Sequence, residues 1–173
     1  MIVTTATFSL DKAREVIARG WPAQHPFLSY ARAWVGFDVS DASDDVSPLR
    51  DTRRVADGPS LAMRVGDVDL DSEWRGHREQ YGTDHPLAPT IEHARRIVGW
   101  VLARHLRDER YALAVHCHAG LYRSGAVVEW VRADLGVPEH DCSTRVVVCG
   151  RDEPTHNATL LRLLRQAHAE VTR

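Results

Sequence analysis

Cysteine is scarce in this chain: 173 residues contain three, Cys117, Cys142 and Cys149. An odd, sparse set excludes a disulfide scaffold and points to a reducing compartment, so a cytoplasmic protein is expected. Neither a C-x2-C nor an H-x3-H pattern occurs, and no metal or other cofactor is expected. No apolar run approaches the ~20 residues of a membrane span. No basic segment followed by an apolar stretch and cleavage site opens the sequence, so no secretory leader is expected. Net charge is −2, which gives no electrostatic basis for general nucleic-acid affinity. Lysine is almost missing: of 22 basic residues, Lys12 is the one lysine, which we read as codon bias. What is present, 43% hydrophobic and 27% charged residues, describes an ordinary globular chain. Its length suffices for one domain, 1–173, with a full core.

One stretch organises the rest. The apolar run Ala112-Leu113-Ala114-Val115 ends at His116-Cys117, and Arg123-Ser124 follows across five residues before a helical pattern begins. This predicts strand, tight loop and helix N-terminus. Successive N–H groups of such a loop make an anion cradle, and the helix dipole favours negative charge there. The candidate cradle is His118, Ala119, Gly120, Leu121, Tyr122 and Arg123. The Arg123 guanidinium is a planar fork matched to two phosphate oxygens. Gly120 lets the backbone turn where a side chain would clash. Cys117 on the rim offers a nucleophile. A buried strand-end cysteine with a surface arginine is the plainer alternative. Zinc held by His116, Cys117 and His118 is another, but neighbours on a strand point to opposite faces.

Taken in order, Met1 to Thr4 predicts a first strand, and Ser9 caps a helix with Leu10, Ala13, Val16 and Ile17 on one face. Gly20 stops that helix, and Pro22 and Pro26 keep the next stretch irregular. Ala33–Val39 and Ser60–Val65 predict strands, separated by a loop rich in Asp, Ser and Pro. Asp67 to Pro89 is polar and aperiodic, the kind of long loop that usually serves function. Thr90 caps a helix with Ile91, Ala94, Val98, Val101 and Leu102 inward. After Arg123 the helix carries Ala126, Val127, Trp130, Val131 and Leu135, and Gly136 ends it. Arg145–Cys149 predicts a further, edge strand. Pro154 is expected to start a last helix, with Leu160, Leu161, Leu164, Ala167 and Val171 inward. The expectation is a single α/β domain. Its central sheet is mostly parallel, with about four to five strands, and helices flank both faces.

His116-Cys117, five residues and Arg123-Ser124, with Ala119-Gly120 inside, resembles the signature loop of cysteine-dependent protein tyrosine and dual-specificity phosphatases. The order of elements, Pro89-Thr90 with His93, and Pro154-Thr155-His156-Asn157 before a leucine-rich helix are similar to the small bacterial or bacteriophage type. The resemblance implies a phosphomonoesterase that needs no metal. Its substrate would be a phosphorylated protein or another phosphomonoester, and Cys117 would attack phosphorus. It also implies a general acid, an Asp on the loop before the helix that precedes the signature strand. Asp67 directly follows a strand, as the family's acid does; Asp84 lies nearer the usual distance before the cysteine. The two stand level, with Asp69 and Asp71 behind them. The loop that carries them is longer than the family usually has.

Ser124, by the same resemblance, stabilises the thiolate as leaving group when phosphocysteine breaks down; it can also simply cap the helix. His116 is expected to tune Cys117 through hydrogen bonding. Tyr122 stands where relatives carry smaller or basic residues. Trp74 and Tyr81 fit a pocket mouth or ordinary packing. Cys142 and Cys149 are read as bystanders, with a resolving role against oxidised Cys117 as the alternative. Two other readings remain. One is a phosphate-binding pseudophosphatase without a working acid. The other is a rhodanese-like sulfurtransferase, whose cysteine loop is typically shorter. The physiological substrate and the oligomeric state are not encoded in any motif.

Overall fold

Among the described residues four strands, β1 (Ile2–Ser9), β2 (Ala31–Asp38), β3 (Ser60–Arg64) and β4 (Tyr111–Cys117), run the same way and pair in the order β1-β4-β2-β3. The structure is a computed structural model and describes residues 1–21, 23–38, 58–66, 88–118, 122–138 and 156–173. Helices are α1 (Leu10–Arg19), α2 (Ile91–His105), α3 (Tyr122–Leu135) and α4 (Ala158–Val171). A short 3-10 turn, Pro26–Ser29, precedes β2. The chain is thus α/β, and every strand pair among the described residues is parallel. The expected edge strand 145–149 lies outside the described residues.

Side-chain alternation sorts the sheet into two apolar clusters. Ala33, Val35 and Phe37 of β2, Leu61 and Met63 of β3, and Leu113, Val115 and Cys117 of β4 pack with α2, α3 and α4. Their neighbours Trp34, Ala112 and Ala114 join Ala13 and Val16 of α1 and Phe27 of the 3-10 turn. The two clusters therefore lie on opposite sides of the strands. Ile2 faces the larger cluster while Ala6 and Phe8 face the smaller. The register shift between Ile2 and Thr4 accounts for that change of side. A Cβ on Gly58 would lie 1.9 Å from the Arg32 carbonyl oxygen, so only glycine lets the entry to β3 approach β2 this closely.

α1, α2 and α4 each begin on a side-chain cap. Ser9 accepts from the Lys12 N–H, so β1 runs straight into α1 without a loop and is longer than its first residues suggest. Thr90 and His93 form a reciprocal capping box, with the histidine ring in the place usually taken by Glu or Gln. α4 is capped by Asn157, whose Oδ1 accepts from Leu160 N–H at 2.8 Å, so the helix starts at Ala158 and not at Pro154. Its inner face is Leu160, Leu161, Leu163, Leu164 and Ala167; Val171, expected inward, is exposed in the last turn. α3 is buried almost all round because it lies between the sheet and α4. Fully burying Leu160 and Leu164 contributes about 1.5–3 kcal/mol each.

This topology decides where a ligand can sit. β1 and β4 are neighbours, and Ser9 at the end of one pairs with Cys117 at the end of the other. From there α1 goes to the smaller cluster and α3 to the larger. Adjacent parallel strands whose connections leave to opposite sides open a crevice at their carboxyl ends. Cys117 stands at that crevice.

Candidate active site

Two side chains meet where β4 passes into α3. Cys117 is buried, 1% exposed, and its Sγ lies 3.2 Å from Ser124 Oγ. The two residues are seven apart in sequence, on either side of the loop. Cys117, expected on the rim of the loop, has its side chain packed against the larger cluster. Ser124 is fully buried and is the third residue of α3, since the helix already starts at Tyr122.

Arg123 is also buried, 4% exposed, which sets aside the plain surface arginine. Its Nη1 donates to the Val65 carbonyl oxygen at 2.6 Å. A charge held this deep needs charge-assisted hydrogen bonds, and a strand-end carbonyl supplies one. The planar head is thereby oriented by a group 58 residues away. Val65 was not among the residues singled out from sequence, and a backbone acceptor leaves no signature there.

His116 is fully buried. Burial, followed by the guanidinium charges of Arg123 and Arg14, pushes its pKa down to about 4, so it is neutral at pH 7. Strand alternation turns it away from Cys117, toward the side of α1. Arg14 on α1 is near enough to act on it electrostatically.

Both described ends of the loop are held by helix-start amides. Leu10 N–H, the first of α1, donates to the His118 carbonyl at 3.0 Å. Asn157 N–H, at the cap of α4, donates to the Tyr122 carbonyl at 3.0 Å. Their helices belong to different clusters, so His118 and Tyr122 are each held by a separate part of the core. His118 and Tyr122 expose their side chains, Tyr122 by 43%. Asn157 is fully buried; its place directly before an apolar run was the available sequence signal.

The structure brings together Cys117, Ser124, Arg123 and the loop ends at His118 and Tyr122. Ala119, Gly120 and Leu121 lie outside the described residues, as do Asp67, Asp84, Asp69, Asp71, Trp74, Tyr81, Cys142 and Cys149. Among the described residues no helix is long and apolar enough to cross a membrane.

No protein-family model matches the chain, and no curated protein matches it. Among solved structures it is similar to Tk-PTP in the active form, at 16% identity and a TM-score of 0.48, covering 96% of this chain and 92% of that one. It is also similar to PTPMT1, at 14% identity and a TM-score of 0.42, covering 98% and 92%. Both are protein tyrosine phosphatase-type structures. Likeness at this level leaves function to be read from the site itself.

Proposed function

We propose that the protein is a cysteine-dependent phosphomonoesterase of the protein tyrosine or dual-specificity type. The observation that carries this reading is the junction of β4 and α3, where Cys117 Sγ lies 3.2 Å from Ser124 Oγ beside the buried Arg123. In the proposed reaction the Cys117 thiolate attacks phosphorus, and the bond to the leaving oxygen breaks. Amides of residues 118–123 and the Arg123 fork bind the three equatorial oxygens. An aspartic acid, Asp67 or Asp84, gives its proton to the leaving oxygen. Water then attacks the phosphocysteine, the carboxylate takes up a proton from that water, and the Cys117 thiolate leaves with the Ser124 hydroxyl donating to it. Every role is filled by a side chain or an amide, so the scheme calls for no metal. The substrate is a phosphorylated protein or another phosphomonoester met in the cytoplasm.

Turnover of p-nitrophenyl phosphate tests the reading. Wild type should release nitrophenol and form a covalent phosphate adduct that mass spectrometry detects. Cys117→Ser should lose turnover and adduct yet still bind phosphate. A Cys117→Ser variant that keeps most of the activity would sink cysteine catalysis. Phosphate binding without turnover in wild type would leave a binding module, and turnover of thiosulfate a sulfurtransferase.

A further inference from the structure

We propose that the reciprocal cap at the start of α2 is a proton-operated latch: a neutral His93 ring holds the chain at Thr90, and a proton on that ring lets it go. The box has two halves. His93 N–H donates to Thr90 Oγ1 at 3.3 Å, and Thr90 N–H donates to His93 Nδ1 at 3.2 Å. The first half does not titrate in the physiological range. The second needs a bare lone pair on Nδ1, which the neutral ring with its hydrogen on Nε2 supplies. Glutamine in this place would accept at every pH, and glutamate throughout the neutral range. Histidine makes the bond conditional. Once protonated, Nδ1 carries a hydrogen and meets the Thr90 N–H donor to donor. The imidazolium also stands in the first turn, where the helix dipole disfavours a cation. Both effects act in one direction.

The surroundings favour the neutral ring. His93 is half-buried, and burial lowers its pKa from 6.5; Glu92 raises it and Arg96 lowers it. α4 and β3 pack against α2. On α4, both carboxylate oxygens of Glu170 accept from Arg95. Arg165 and His168 turn to Asp134 and Trp130 of α3, and Arg162 is exposed. β3 ends in the exposed Arg64. The bond is therefore intact above pH 6.5 and breaks as pH falls through the lowered pKa of the folded ring. Directly ahead of the latch stand Ala88 and Pro89, both buried. Behind it the Thr90 carbonyl accepts from Ala94 N–H at 3.1 Å, an intrahelical bond that the proton does not touch. Acid thus loosens the entry at 88–90 and leaves α2 in place.

Amide hydrogen exchange on wild type tests this. From about pH 8 to about pH 4, with intrinsic rates divided out, protection of the Thr90 N–H should fall about fivefold, the effect of one ordinary hydrogen bond. The fall should track the NMR titration of the His93 ring itself. The amide of the buried Val98, deeper in α2, reports any loss of the whole fold. His93→Gln should keep Thr90 protected relative to Val98 across the range, and His93→Ala should leave it unprotected at every pH. A wild-type Thr90 amide that keeps step with Val98 while His93 titrates overturns the inference. So does a His93→Gln variant that shows the wild-type transition. Neither readout involves phosphate or turnover, so the result stands apart from the phosphatase reading.

Discussion

Arg123 reaches across the carboxyl edge of the sheet and donates through Nη1 to the Val65 carbonyl at 2.6 Å. The bond joins the end of the signature loop to the end of β3. It fixes one donor of a planar five-donor head, and with it the plane of the guanidinium. A lysine could not hold the carbonyl and bridge two phosphate oxygens together. Arg123→Lys should therefore lower kcat/KM for an aryl phosphate by about 10²–10³, the usual effect of losing an oxyanion donor. Arg123→Ala should in addition lose about 1–3 kcal/mol of stability, because the Val65 carbonyl loses its donor. Steady-state kinetics and urea unfolding measure the two effects. A lysine variant within threefold of wild type would disconnect Arg123 from the chemistry.

The 3.2 Å contact between Cys117 Sγ and Ser124 Oγ yields a prediction about a single step. A hydroxyl that donates to sulfur stabilises it most when it carries the departing negative charge. Ser124→Ala should slow phosphocysteine breakdown by about 10- to 100-fold, the worth of a hydrogen bond to a charged group. Formation of the intermediate should change little. Rapid mixing with p-nitrophenyl phosphate should then show a nitrophenol burst followed by slow turnover. Equal loss in both phases would make Ser124 a structural cap only.

His116 links the site to acid stability. Its pKa in the folded protein is pushed from 6.5 to about 4, chiefly by burial and then by the charges of Arg123 and Arg14. Between those values the unfolded chain binds more protons than the folded one, so stability rises with pH there. It is lost as pH falls from 6.5 to 4 and does not fall further from this cause below 4. The loss is on the order of 3 kcal/mol. Urea unfolding at pH 7 and pH 4 should show a larger drop for wild type than for His116→Gln, by about that amount. Parallel curves would mean that His116 gains its proton without penalty.

The loop was legible because its chemistry is contiguous: Cys117, Arg123 and Ser124 stand within eight residues, and strand and helix patterns flank them. Most apolar faces were legible for the same reason, since periodicity is local. The groups that hold the loop were not. Val65, Leu10 and Asn157 act through main-chain atoms, which every residue possesses, on partners far away in sequence. Asn157 left a trace as a capping residue, but Pro154 offered a competing start for α4. The hydrogen bond from Leu160 N–H to Asn157 Oδ1 decided it. Val171 followed the helical stripe and is 60% exposed in the last turn of α4.

Chain tethers bear on the identity of the general acid. Two residues of chain span at most about 7 Å, and Asp67 follows Val65 by two. Val65 is the residue that Arg123 holds. Asp84 is tethered less closely. α2 has 15 residues, about 22 Å of helix, which matches the roughly 23 Å of the seven-residue β4 that follows it. Its N-terminus therefore stands at the carboxyl edge, but Asp84 precedes Thr90 by six residues of chain. An acid must come within about 3 Å of the leaving oxygen, directly or through one water. The shorter tether favours Asp67. Loss of the acid should reduce turnover of an alkyl phosphate by about 10²–10⁴. Nitrophenyl phosphate should suffer far less, because nitrophenolate leaves almost unaided. Asp67→Asn should show that asymmetry and Asp84→Asn should not. The reverse result assigns the acid to Asp84. Small, equal losses in both variants on both substrates would remove both carboxylates from the mechanism.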